Sequence, residues 1–364
     1  MDHPWRGQRD TAHHHRRAGT GAAPMNFAEL HDELRSVAQD LLVKDADWPL
    51  LVQAGWVGLD APEALGGSGA TFAEVAVICE ELGRAAARTA YLGGAVLGIG
   101  ALIALQAGDL RNQLLREATA GKTRVALALS AEKPRPQFEL AATGGRLDGH
   151  ATFVADAAVA QHVLLPATDA QGTPVLVDVA SDAIGLRIDN QPVLDETRRL
   201  ATVTADGVAV DGAAVCRFDG DPHQQLQALR DRATVALACD SLGIAQAMLD
   251  ATVSYVGVRH QFGQPIGAFQ AVKHACADML VRIAVARQLV MAAVTEPGPT
   301  TTAMAKSYAC DTAVDVAGKA MQLHGGIGYT WESGVHVYLK RAALNRSLFG
   351  SPADHRARLA GRYQ

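Results

Sequence analysis

Two segments of this chain gather residues able to hold a charged, planar ligand. The first is Arg259-His-Gln-Phe-Gly-Gln-Pro-Ile-Gly-Ala-Phe-Gln-Ala-Val-Lys-His274. Within four residues it offers the Arg259 guanidinium, the Gln261 amide and the Phe262 ring, followed by a Gly-Gln-Pro turn. A guanidinium fork matches phosphate oxygens, and backbone amides at a helix end add further donors. The same arginine could instead close a loop onto helix C-terminal carbonyls. The second segment is Gln322-Leu-His-Gly-Gly-Ile-Gly-Tyr-Thr-Trp-Glu332. Gly325, Gly326 and Gly328 there break a helical pattern, and glycine lets a ligand approach the main chain closely. A helix C-cap with a flexible joint fits the same glycines.

A third candidate is Asp240, in the apolar setting Leu237-Ala-Cys-Asp-Ser-Leu-Gly243. Burying an unpaired carboxylate there costs several kcal/mol or raises its pKa, which suits a general base. A structural aspartate bonded to a facing helix is the alternative.

Three textures of sequence must position these residues. Residues 25–122 show apolar positions at three- and four-residue spacing, such as Phe72, Val75, Ile78, Cys79 and Leu82, and predict a helical domain. Residues 123–218 switch to short β-type runs at 124–129, 151–154, 162–165, 174–179 and 201–210, punctuated by Gly and Asp-Gly turns. They predict a small antiparallel sheet or barrel. Residues 219–364 return to long alanine-rich helices over 226–259, 269–294 and 301–323, a helical bundle. The fold class is therefore α+β, in the order helices, strands, bundle.

Bulk composition removes several functions. With 49% hydrophobic and 20% charged residues the chain is an ordinary globular protein. A net charge of -5 and the lack of a basic tract argue against nucleic-acid binding. Five dispersed cysteines in apolar surroundings read as buried free thiols of a reducing, cytoplasmic compartment, with neither a disulfide frame nor a metal site. The apolar stretch from Tyr91 to Leu105 is too short to span a bilayer. No signal peptide is visible. Residues 1–24 read as a disordered extension with Met25 as the natural initiator, its three histidines (His13, His14, His15) a solvated tail or a metal-binding tract.

Arg-x-Gln-Phe-Gly-x-Pro-Ile-x-x-Phe-Gln, followed by Ala277-Asp-Met279, resembles the acyl-CoA dehydrogenase family. Gln-Leu-His-Gly-Gly-Ile-Gly-Tyr-Thr-x-Glu resembles its second signature, and Pro62-Glu-Ala-Leu-Gly-Gly-Ser-Gly69 its N-terminal loop. The resemblance runs from about residue 27 to the end, and the chain looks like the shorter actinobacterial steroid-type subunits. It implies an N-terminal helical domain, a small β-domain and a C-terminal four-helix bundle. It also implies FAD bound across a subunit interface and removal of the α and β hydrogens of an acyl-CoA thioester. Arg259 would then reach the FAD pyrophosphate of a neighbour, with Gln261 and Phe262 beside it and Gln322, Gly325 and Gly326 near the adenosine. An electron-transfer flavoprotein or similar acceptor, and a homo- or hetero-oligomer with a second subunit of the same family, complete the implied partners.

The sequence departs from the family at the reacting centre. Where most members carry a glutamate before a glycine, this chain reads Ser347-Leu-Phe-Gly-Ser351, with Phe349 at the glutamate position. The other family placement falls on Ala233. Asp240 lies seven residues further on, about two helical turns and so nearly the same face; its segment resembles the steroid-type Ala-x-Glu-x-x-Gly pattern, in which the glutamate is the base. The family's Thr-Glu-Pro-x-x-Gly-Ser-Asp run appears as Ser130-Ala-Glu-Lys-Pro134, and its Trp-Ile-Thr triplet as Phe153-Val154-Ala155. Phe153 can cover the flavin ring, but Ala155 offers no hydroxyl. Three readings follow: a catalytic dehydrogenase subunit, a non-catalytic subunit that completes a partner's FAD site, or a flavin oxidase of the same fold.

Overall fold

In the computed structural model the described residues are 27–42, 47–133, 135–141 and 145–361. The expected extension over residues 1–24 and the Met25 start lie outside them. The chain begins with α1 (Phe27–Leu42), α2 (Trp48–Gln53) and α3 (Phe72–Arg84). A capping box starts α3: the Thr71 hydroxyl accepts from the Ala73 N–H, and Glu74 accepts from the Thr71 N–H. An eight-residue π-helix, Leu92–Ile99, then runs into α4 (Gly100–Ile103), and α5 (Asp109–Thr119) follows.

Glycine explains how that wide helix fits. A Cβ on Gly93 would fall 2.4 Å from the Ala155 carbonyl oxygen, and one on Gly98 would fall 2.0 Å from that of Val125. The π-helix therefore lies flush against the sheet. The sheet strands are β1 (Val125–Leu127), β2 (Phe138–Leu140), β3 (Arg146–Ala155), β4 (His162–Thr168), β5 (Pro174–Ala180), β6 (Leu186–Gln191), β7 (Leu200–Ala209) and β8 (Val215–Cys216). Their order is β6-β7-β3-β2-β4-β5-β8, with β1 also on β4.

Where the sequence predicts an antiparallel sheet, the structure has a mixed one. Both β1 and β2 pair with β4 in parallel, β1 at His162–Leu164 and β2 at Ala167–Thr168, along one edge of the strand. The long excursions that precede β4 permit this, since parallel neighbours need a long connection. One face of β4 and β5 (Leu164, Leu176) joins the helical core, and the other (Val163, Leu165, Val175, Val177) forms a second core within the sheet domain.

The bundle consists of α6 (Pro222–Val258), α7 (Gln270–Thr295), α8 (Pro299–His324), α9 (Val335–Ser347) and α10 (Pro352–Ala360). A short hairpin, β9 (His260–Gln261) and β10 (Gln264–Pro265), joins α6 to α7. Ser241 meets Cys310 at 3.4 Å, and fourteen residues further along each helix Tyr255 stacks on His324 at 4.5 Å. The two helices therefore run parallel and end together. No helix among the described residues is long and apolar enough to cross a membrane.

Candidate functional site

The common end of α6 and α8 brings together both glycine- and arginine-bearing motifs. Arg259, Gln261, Phe262, Gln322, Gly325 and Gly326 are all exposed there. Phe262 is 91% exposed and edge-on to Phe269 at 6.0 Å. Gln322 accepts from Lys319 Nζ at 2.9 Å, and its amide N–H2 stays open. Gly325 has φ 63° and ψ −143°, a conformation outside the reach of residues with a Cβ. A Cβ on either Gly325 or Gly326 would meet nothing within 4 Å, so open space borders the main chain here. A guanidinium, an aromatic face and open backbone on one surface fit the phosphates and adenosine of a dinucleotide such as FAD.

Asp240 lies elsewhere on α6, and its setting differs from the expectation of an unpaired buried carboxylate. Arg341 Nε and Nη2 donate to its two oxygens at 3.0 and 2.5 Å, Arg198 Nη2 sits 3.0 Å from Oδ2, and Asn345 Nδ2 donates to Oδ1 at 2.6 Å. Burial pushes the carboxyl pKa up, but the Arg341 and Arg198 guanidiniums, helped by Asn345, outweigh it and hold the group at about 2. The upward shift expected of a general base is thus reversed. Arg341 also donates from Nη1 to the Ala87 carbonyl at 2.8 Å and to the Thr197 hydroxyl at 2.9 Å. The cluster joins the N-terminal helices, the loop before β7 and two bundle helices.

Ala233 and Leu237 lie on the same face of α6 and are fully buried. At the end of that face stands Phe349, with φ 57° and 6% exposure. Its N–H donates to the Ala131 carbonyl at 2.7 Å. His355 Nε2 donates to the Phe349 carbonyl at 3.0 Å, while Arg358 Nη2 donates to His355 Nδ1 at 2.9 Å, which fixes the tautomer. Burial, with Arg358 and Lys306 nearby, pulls the His355 pKa down to about 4. Lys306, wholly buried, donates to the Asn345 and Leu348 carbonyls. The Arg230 guanidinium lies 5.7 Å over the Phe349 ring.

Phe153 occupies a bulge between Ala151 and Val154 of β3, with φ 53° and its N–H bonded to Gln191 Oε1 at 2.9 Å. It is half-buried and packs on the helical core. Just beyond it, Asp156 accepts from the Gly93 N–H at 2.9 Å, and burial lifts its pKa to about 6. Sequence reasoning missed Arg198, Lys306, Arg230, Asp156, Arg341 and Asn345. The four-residue spacing of Arg341 and Asn345 marks one helix face, but nothing local couples that face to Asp240. Of the cysteines, Cys79, Cys239 and Cys310 are buried, whereas Cys216 and Cys276 are half-exposed.

Comparison with known proteins agrees with this architecture. Residues 25–122 match the acyl-CoA dehydrogenase N-terminal domain, and residues 226–363 the acyl-CoA dehydrogenase C-terminal domain. Acyl-CoA dehydrogenase IpdE2 of Mycobacterium tuberculosis is 33% identical over 327 residues, covering 89% of this chain and 88% of the relative. The chain belongs to the acyl-CoA dehydrogenase family, a family of oxidoreductases. Among solved structures, a variant of the Tcur3481-Tcur3483 steroid acyl-CoA dehydrogenase superposes with a TM-score of 0.81 at 27% identity, over 92% of this chain and 98% of that one. The ChsE4-ChsE5 complex of Mycobacterium tuberculosis superposes with a TM-score of 0.82 over 94% of this chain and 98% of that one; at 24% identity it speaks for the fold alone.

Proposed function

We propose that this chain is a subunit of an FAD-dependent acyl-CoA dehydrogenase assembly that oxidises the α,β-bond of a bulky, steroid-type acyl-CoA thioester. In this reading its Arg259 end holds an FAD seated mainly on a neighbouring subunit. The observation that carries it is a length. Arg259 follows Ala233 by 26 positions of α6, about 39 Å at 1.5 Å per residue. The exposed clamp and the buried face at Ala233 and Phe349 therefore stand too far apart to grip the same small cofactor segment. One solved structure in the comparison points the same way: it is named as a steroid enzyme, and its name joins two proteins, Tcur3481 and Tcur3483.

Arg259 would bind the FAD pyrophosphate, Phe262 would cover its adenosine, and the Gly325-Gly326 backbone would approach it. Bound FAD supplies the hydride acceptor, and an electron-transfer flavoprotein or similar acceptor would reoxidise it. Removal of the α-proton falls to a carboxylate of the neighbouring subunit. Asp240, held at about 2 by its partners, has too little basicity for that step and serves instead to lock the domains together.

The test is flavin retention by the assembly, co-purified with the product of the adjacent gene. Arg259→Ala removes a charge-assisted contact of about 1.5–3 kcal/mol, which lowers FAD affinity roughly 10- to 150-fold. Arg259→Lys falls between the two, because an ammonium lacks the fork. Arg259 is exposed and ion-paired to nothing among the described residues, so the unfolding midpoint stays put. Unchanged FAD retention in Arg259→Ala would overturn the proposal.

A further inference from the structure

We infer that the cleft where the family resemblance would seat a flavin ring and acyl group is closed in this chain by its own backbone. The chain then carries neither ligand on its own sheet domain. This rests on the subunit-sharing reading above and adds to it which side of the chain is unable to bind.

The closure is steric. The two segments that depart from the family at the reacting centre, around Ala131 and around Phe349, touch directly. The Phe349 N–H reaches the Ala131 carbonyl at 2.7 Å. A planar ring or acyl chain between two walls needs about 7–8 Å from wall to wall, since carbon contacts on each side are about 3.5–4.0 Å. The loop is also fixed from behind. Lys306 holds the Leu348 carbonyl and His355 the Phe349 carbonyl, so three successive backbone groups are engaged.

The other wall is shut as well. Asp156 takes the Gly93 N–H, and Gly93 and Gly98 press the π-helix onto the Ala155 and Val125 carbonyls with no spare width. Ala131, Ala155, Ala233 and Leu237 are at most 4% exposed. The void touching Asp240, Arg198 and Arg341 measures about 10 Å³, room for at most a single water. Substituting Phe349 for a carboxylate is one part of a wider change that fills the site.

Two measurements test the closure. The chain purified alone is saturated with FAD, desalted and read at the flavin absorption band. The expected result is loss of essentially all flavin, and the assembly with its partner retains one FAD per pair of chains. One FAD retained per chain by this protein alone overturns the inference. Amide hydrogen exchange gives the second readout. The Phe349 amide is expected to be protected in the chain alone and equally protected in the FAD-loaded assembly. Loss of that protection when FAD is added to the chain would show the cleft opening for flavin and would also overturn it. These outcomes are separate from the Arg259→Ala result, which concerns the opposite end of α6.

Discussion

A carboxylate that accepts from four nitrogen donors in a dry interior gives up its proton easily and recovers it with difficulty. Asp240 is in that position, between Arg341, Arg198 and Asn345. Its pKa is depressed from 3.8 to about 2 on folding. The unfolded chain therefore binds the proton more readily than the folded one. The stability this pairing contributes is complete above pH 4 and disappears as the pH falls from there through about 2. Asp240→Asn keeps the shape and removes the charge, leaving two guanidiniums buried without their common counter-ion. Breaking a buried pair in this way costs about 3–5 kcal/mol. Urea unfolding at neutral pH should show the unfolding free energy fall by that amount, with a lower midpoint, and the acid limb between pH 4 and 2 should flatten. An unchanged midpoint together with lost turnover in the assembly would instead restore Asp240 as the base.

The helices α3 and α6 meet through glycines facing each other's backbone. A Cβ on Gly243 would lie 1.9 Å from the Glu80 carbonyl oxygen, and one on Gly83 would lie 2.0 Å from that of Asp240. This contact sets the height of Asp240 relative to the N-terminal helices. Gly243→Ala should cost about 3 kcal/mol, the upper range for overpacking, because both sides are backbone. Gly318→Ala in α8 meets nothing within 4 Å and should add about 0.5–1 kcal/mol of stability. Equal effects in thermal unfolding would refute the packing argument. At this scale much was legible in the sequence. The three long bundle helices declare themselves by composition and period, and the residues proposed as a clamp, Arg259 to Phe262 and Gln322 to Gly326, stand in two continuous segments. The strand β2 is only three residues long, and the edge strand β6 alternates only through Leu186 and Ile188 before three polar residues, so neither run is long enough to announce a strand. The Asp240 cluster was invisible for another reason: its partners lie about a hundred residues downstream and before β7, and only the packed fold couples them.

At the scale of the whole molecule, α7 presents Leu280, Val281, Val285 and Met291 at 41–62% exposure, with Met304 of α8 at 39%. Nothing among the described residues covers this stripe, and soluble chains rarely leave such a row of large apolar side chains in water. It lies on the two helices whose ends carry the motifs proposed to hold FAD, with Phe262 in the hairpin before α7 and Gly325 just after α8. The stripe starts about 15 Å along α7 from the end beside Phe262, so a neighbour seated on it must extend along the helix pair for its cofactor to meet both motifs. Burying one leucine or valine is worth about 1.5–3 kcal/mol, and placing a charge there adds a desolvation cost. Val281→Glu should therefore weaken association at least 10- to 100-fold, read as a rise in the dissociation constant by sedimentation on dilution. Residue 281 is already exposed in the isolated chain, so its unfolding midpoint should not move. FAD should leave with the partner, at the concentrations where the assembly separates. A variant that dissociates at the wild-type concentration would place the interface on another face.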